Sequence, residues 1–106
     1  MNITEVASKV AERFGVLSNP YRTLILAFLL KKKKSSWSEI KQFLEAHYGS
    51  VNPNTLQFHL RALIQADMVE RSGSEEDIIY TLGQLPKEIQ TTLLSEIIEK
   101  FKTDDD

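Results

Sequence analysis

Residues 36–66 read SWSEIKQFLEAHYGSVNPNTLQFHLRALIQA, and two helix starts are written into them. Ser36-Trp37-Ser38-Glu39 has the form of a capping box: a hydroxyl that accepts from a first-turn N–H, and a carboxylate three residues on that reaches back. Ile40, Phe43, Leu44 and Tyr48 then recur at helical spacing and predict one buried face, and Gly49 offers a left-handed stop. Asn52-Pro53 restarts a helix with a side-chain cap followed by a proline, whose missing N–H does no harm in the first turn. In that helix Leu56, Leu60, Leu63 and Ile64 form an inward stripe, which leaves Asn54, Gln57, Phe58, Arg61 and Gln65 facing outward. Two helices in tandem across a short turn predict a helix-turn-helix at about 36–66.

Upstream, Asn2 and Glu5 can form an N-terminal cap, and Ile3, Val6, Ala7, Val10 and Phe14 follow at helical spacing. This first helix is expected to stop near Phe14, with Gly15 as its breaker. Asn19-Pro20 then opens a helix to about Leu30, in which Tyr21, Leu24, Ile25, Phe28 and Leu29 cover so wide an arc that the helix must sit centrally in the core. Lys31 to Lys34 follow at its C-terminus, where positive charge suits the helix dipole. Downstream, Met68–Arg71 and Ile78–Leu82 are β-prone runs around the polar segment Ser72–Asp77, a predicted hairpin over about 68–82. After Gly83–Pro86 the apolar residues Ile89, Leu93, Leu94, Ile97, Ile98 and Phe101 mark a last amphipathic helix at about 86–102. Helix, helix, helix-turn-helix, hairpin, helix is the order of a winged helix-turn-helix. The chain is therefore expected to form a single such domain over residues 1–106, mainly α with a small β-hairpin wing.

Composition narrows the function. The 106 residues, 42% hydrophobic and 26% charged, suit one ordinary soluble domain. No stretch approaches the roughly 18 apolar residues of a membrane span, and Met1-Asn2-Ile3-Thr4-Glu5 lacks the basic-then-apolar pattern of a secretion signal, so a cytoplasmic address with no membrane partner is expected. The absence of cysteine excludes disulfides, thiolate metal sites and cysteine nucleophiles. His47 and His59 fall in different elements and could share a metal only through tertiary folding. With no glycine-rich phosphate loop, nucleophile motif or recognisable carboxylate pair, neither an enzyme nor a bound cofactor is expected. The net charge of −2 argues against indiscriminate coating of nucleic acid. Charge is segregated, however: residues 1–34 hold seven basic and two acidic side chains, residues 73–106 three and nine. A basic first third turned to DNA and an acidic end turned away fit a DNA binder of low net charge.

Leu17-Ser18-Asn19-Pro20-Tyr21-Arg22, the segment Val51–Val69 with Thr55, His59-Leu60 and Leu63, and the strand ending Ile79-Tyr80-Thr81-Leu82 resemble the ArsR-type and related archaeal winged-helix regulators over about residues 14–83. The resemblance implies a homodimer that sets the second helix of each helix-turn-helix into successive major grooves of a partly palindromic operator. It places groove-facing side chains at Pro53, Asn54, Gln57 and Phe58, and the helical phase independently exposes the last three. Asn54 and Gln57 could pair with adenine, Phe58 could lie against thymine methyls, and Arg61 could hold a guanine or a phosphate. Asn52 and Thr55 at the helix start suit a backbone phosphate.

Other readings stay open beside these. Phe58 either reads DNA or tucks under a neighbouring element, His59 is read as packing, and Trp37 as core or staple. Lys31 to Lys34 are either a solvated run or phosphate contacts, Lys33 and Lys34 foremost, with Arg22 and Lys41 ranked below them. The tip Ser74-Glu75-Glu76-Asp77 is acidic where family wings are often basic, which leaves Arg71 and Ser72 at its base. The last helix has no histidine and carboxylate set at ligand spacing, so no metal effector is expected. The dimer contact is expected from the first and last helices, through Val6, Val10, Leu94, Ile98 and Phe101, with Ile89, Leu93 and Ile97 turned inward; the alternative is that both stripes of the last helix are core. The rival function is a winged-helix protein–protein interaction module that does not bind DNA.

Overall fold

The computed structural model describes residues 2–100, with the side chains of residue 6 and residues 9–13 left out of the description. Helix α1 (Ile3–Leu17) is capped by Asn2, whose Oδ1 accepts from the N–H of Glu5. It runs through Gly15 instead of stopping at Phe14, a correction with a simple cause. Gly15 is exposed and nothing lies within reach of its missing Cβ, so it imposes no turn and only the ordinary glycine penalty of about 1 kcal/mol. The helix closes at Ser18, whose hydroxyl and backbone N–H both donate to the Gly15 carbonyl.

Helix α2 (Pro20–Lys32) is the hub. Ile25, Leu26, Ala27 and Leu29 are fully buried, and Tyr21, Leu24, Phe28 and Leu30 pack half-buried around them. Its end is strained: Lys33 takes φ 79°, a conformation that usually belongs to glycine, and the next residues form the short strand β1 (Lys34–Ser35). The expected capping box opens helix α3 (Trp37–Tyr48), with Glu39 N–H bound to Ser36 Oγ and Ser36 N–H to Glu39 Oε1. Lys32 also binds the Glu39 carboxylate, and these contacts hold its acid group below the ordinary value. Ile40 and Leu44 are buried as expected. Tyr48 is not, at 43% exposure: its ring leans on Tyr21, with centroids 4.5 Å apart, rather than entering the core. Trp37 is half-buried and its Nε1 has no hydrogen-bond partner among the described residues.

After helix α4 (Pro53–Gln65) come strands β2 (Val69–Ser74) and β3 (Asp77–Leu82). The sheet has three antiparallel strands in the order β1-β3-β2, so the predicted hairpin gains a short third strand, Lys34 pairing with Thr81 and Ser35 with Tyr80. The hairpin loop is tighter than the sequence suggested: Ser74 pairs with Asp77, which leaves Glu75 and Glu76 as the whole turn. Gly73, at φ 91°, makes this possible, since a Cβ there would lie 2.1 Å from the Asp77 carbonyl oxygen. Beyond the buried Val69 every residue of β2 is exposed, so the hairpin stands out into solvent as a wing.

Helix α5 (Lys87–Leu93) continues into one π-turn (Leu94–Ile98). The wider turn inserts an extra residue into the helical period. Leu93 and Ile98, five residues apart, therefore share the buried face, while Leu94 is left 49% exposed. This corrects the expected outward stripe: Ile98, at 5% exposure, belongs to the core, and Phe101 lies outside the described residues.

Candidate nucleic-acid interface

Helix α4 divides into two stripes. Leu56, His59, Leu60 and Leu63 are buried against the core; Asn54, Gln57, Phe58 and Arg61 are exposed at i, i+3, i+4 and i+7 and form one continuous outward row. Phe58 is 62% exposed, so it does not tuck under another element. The row contains two amides, one guanidinium and one apolar ring, the donor, acceptor and methyl-contact chemistry that base edges in a major groove present. Pro53 and Thr55 are exposed beside it.

Asn52 is the side-chain cap that the sequence predicts for this helix. Its Oδ1 accepts from Asn54 N–H at 2.8 Å and Thr55 N–H at 3.4 Å, Leu56 N–H binds the Asn52 carbonyl, and Pro53 has no N–H. The first-turn donors of this helix start are thus engaged within the cap itself. Asn52 is a structural cap, and Asn52→Ala is expected to cost about 1 kcal/mol of stability, read as a lowered urea midpoint at unchanged m-value. A variant as stable as the parent would refute the capping role.

A cluster of rings joins α4 to α2. His59 lies nearly parallel to Tyr21, centroids 5.6 Å apart, and its Nδ1 accepts a hydrogen bond from Arg22 Nε at 3.0 Å. Arginine can only donate, so Nδ1 is the unprotonated nitrogen and the ring proton sits on Nε2. The Arg22 guanidinium also lies over the Phe58 ring, 5.6 Å from its centre. Sequence reasoning placed His59 in packing correctly but ranked Arg22 low, because a bond across 37 residues leaves no local pattern.

Burial, and after it the Arg22 charge, hold His59 below the ordinary imidazole value of 6.5. As pH falls, the unfolded chain takes up this proton first. The contribution to stability is therefore complete above pH 6.5 and is lost as pH drops through that value toward the folded one. The expected outcome is that His59→Gln, which keeps an acceptor but cannot titrate, loses less of its thermal midpoint than the parent between pH 7 and pH 5. Parallel curves would show that His59 is not the linked group.

The remaining predicted contacts belong to other elements. Lys33 and Lys34 are exposed, whereas Lys32 is held by Glu39 and also lies over the Phe28 ring. Lys41 is paired with Glu45 at 3.2 Å. Arg71 is exposed on β2 opposite Tyr80, but Glu70, Glu75, Glu76 and Asp77 are exposed with it and make the wing acidic. Of the predicted dimer contacts, Leu94 is exposed, Ile98 is buried, and the Val6 and Val10 side chains lie outside the described residues. The same helix α1 leaves Ile3 and Phe14 open to solvent, at 85% and 66%. An open recess lined by Gly83, Gln84, Leu85, Pro86 and Gln90 contains no charged side chain. Among the described residues no three metal-ligating side chains gather, and no helix is long and apolar enough to cross a membrane.

No protein-family model and no curated protein sequence matches the chain. Solved structures do. HlyU from Vibrio cholerae aligns over 97% of this chain and 99% of its own at a TM-score of 0.68 and 21% identity. The reduced form of HlyU gives 0.68 and 21% over 93% and 94%, and RosR of H. salinarum gives 0.60 and 23% over 80% and 76%. At these identities the likeness is one of fold. The chain is a mostly helical winged helix-turn-helix with a three-stranded antiparallel sheet.

Proposed function

We propose that this protein is a sequence-specific double-stranded DNA-binding regulator of transcription that acts in the cytoplasm as a homodimer, with α4 of each subunit in a major groove and no catalytic activity or cofactor. The observation that carries the reading is the outward row Asn54, Gln57, Phe58 and Arg61 on a helix whose opposite stripe anchors it rigidly to the core. The winged helix-turn-helix fold shared with HlyU and RosR supports the general role. Lys33, Lys34 and Arg71 serve as phosphate contacts, and Thr55 and Pro53 lie at the groove edge. The uncovered apolar side chains Ile3, Phe14 and Leu94 support a dimer formed by α1 and the last helix, to which Val6, Val10 and Phe101 are assigned as well.

The test is selection of duplexes from a randomised pool at two salt concentrations, followed by sequencing. Enrichment of a partly palindromic site, with affinity falling as salt rises, supports the reading. The acidic wing favours one other role, a protein-interaction module. Absence of enrichment at both salt concentrations would select that role instead.

A further inference from the structure

Arg22 is the third residue of α2, and no acidic side chain lies in that first turn. Its Nε–H is given to His59 Nδ1 at 3.0 Å and its guanidinium carbon lies 5.6 Å from the centre of the Phe58 ring. An arginine offers five N–H donors in a planar fork, and the four on the terminal nitrogens take no part in the bond to His59. A free arginine loses much rotamer freedom when it closes on an anion; here the base of the fork is pinned by one residue and the guanidinium carbon lies over the ring of another, so the ordering precedes the ligand. His59 is itself held, buried against Tyr21 and part of the inward stripe of α4.

Phe58 belongs to the outward row of α4, so whatever meets Arg22 stands directly beside whatever that row meets. When a helix lies in a major groove, the groups flanking the base edges are backbone phosphates. We infer that Arg22 clamps a DNA backbone phosphate at the edge of the groove, with His59 and Phe58 as positioning residues that aim its terminal nitrogens. The inference rests on the DNA-binding reading and deepens it. Phosphate and base contacts then come from one linked cluster: Phe58 touches the duplex on one side and steadies the phosphate clamp on the other.

The experiment titrates the full chain with the selected duplex across a range of salt, for the parent, Arg22→Gln, Arg22→Lys, His59→Gln and His59→Phe. It is repeated with duplexes carrying a neutral methylphosphonate at one backbone position at a time. Arg22→Gln is expected to weaken binding on the order of tenfold per half-site whatever the sequence, and to reduce the slope of log affinity against log salt by about 0.9 per protomer. One methylphosphonate position should weaken the parent and leave Arg22→Gln unchanged. Arg22→Lys keeps the charge and the slope but loses affinity, because it cannot donate to His59 and close a fork on phosphate together. His59→Gln, which retains an acceptor, should bind like the parent, and His59→Phe should resemble Arg22→Lys. If the Arg22 variants keep the parent's affinity, salt slope and methylphosphonate profile, the clamp is wrong while DNA binding stands. If the parent binds no duplex at any salt, the DNA reading fails and the clamp with it.

Discussion

Changing Gln57 and Arg61 together to alanine should lower affinity for the selected operator on the order of 10³-fold while barely moving thermal stability. Each well-placed contact to a base edge discriminates by about 1–3 kcal/mol, and a symmetric dimer loses both contacts twice. The lower end of that range, about 4 kcal/mol in all, already gives three powers of ten. Both side chains are exposed and neither is hydrogen-bonded to the core among the described residues, so stability should change by no more than about 0.5 kcal/mol, or about 4 °C. The decisive comparison is between operator and unrelated duplex. Loss confined to the operator identifies base readout; equal loss on both would mean that these residues supply only sequence-independent attraction, and retained operator affinity would remove α4 from the interface.

The second large effect is on folding. Gly83→Ala should destabilise the protein by about 3 kcal/mol or more, seen as a fall of roughly 12–24 °C in thermal midpoint. Gly83 N–H donates to the Met68 carbonyl at 2.8 Å and Gln84 N–H to the Asp67 carbonyl at 2.7 Å, so the end of β3 is laced to the segment leaving α4. That segment turns sharply at Asp67, with φ 62°. A Cβ on Gly83 would stand 2.3 Å from the Asp67 carbonyl oxygen, a clash with backbone that no rotamer can relieve. Both hydrogen bonds must then lengthen or break beside the buried Met68 and Val69. A Gly83→Ala protein that melts with the parent would show that the lacing is slack.

The elements that could be read from the sequence are those whose signals are local. The capping box at Ser36–Glu39 and the caps at Asn19 and Asn52 determine where helices start within a few residues, and a period near 3.6 separates the two stripes of α4. The missed features depend on distant partners. Strand β1 exists because β3 offers it an edge, and nothing in a lysine run announces a strand. The π-turn at Leu94–Ile98 changes which residues face inward without changing composition, so a regular period misassigned Ile98. Tyr48 has the phase of a core residue, yet it finds its partner in Tyr21 on another helix at the surface. The exposed row of the candidate site was legible for the same local reason as α4; the Arg22, His59 and Phe58 cluster was not, because it joins residues 37 positions apart.

The two stripes of α4 also bear on how such a protein can change over generations. Asn54, Gln57 and Arg61 lie on the side of the helix that the core does not use, so if the proposed interface is right, substitutions there would alter what is recognised without endangering the fold. Duplicated copies could diverge to new operators by single steps, each intermediate still folded. Phe58 is the exception, since its ring also supports Arg22 on a different helix. A lineage that exchanges Phe58 would have to re-aim that arginine at the same time, which makes this position the slow letter in an otherwise freely edited code.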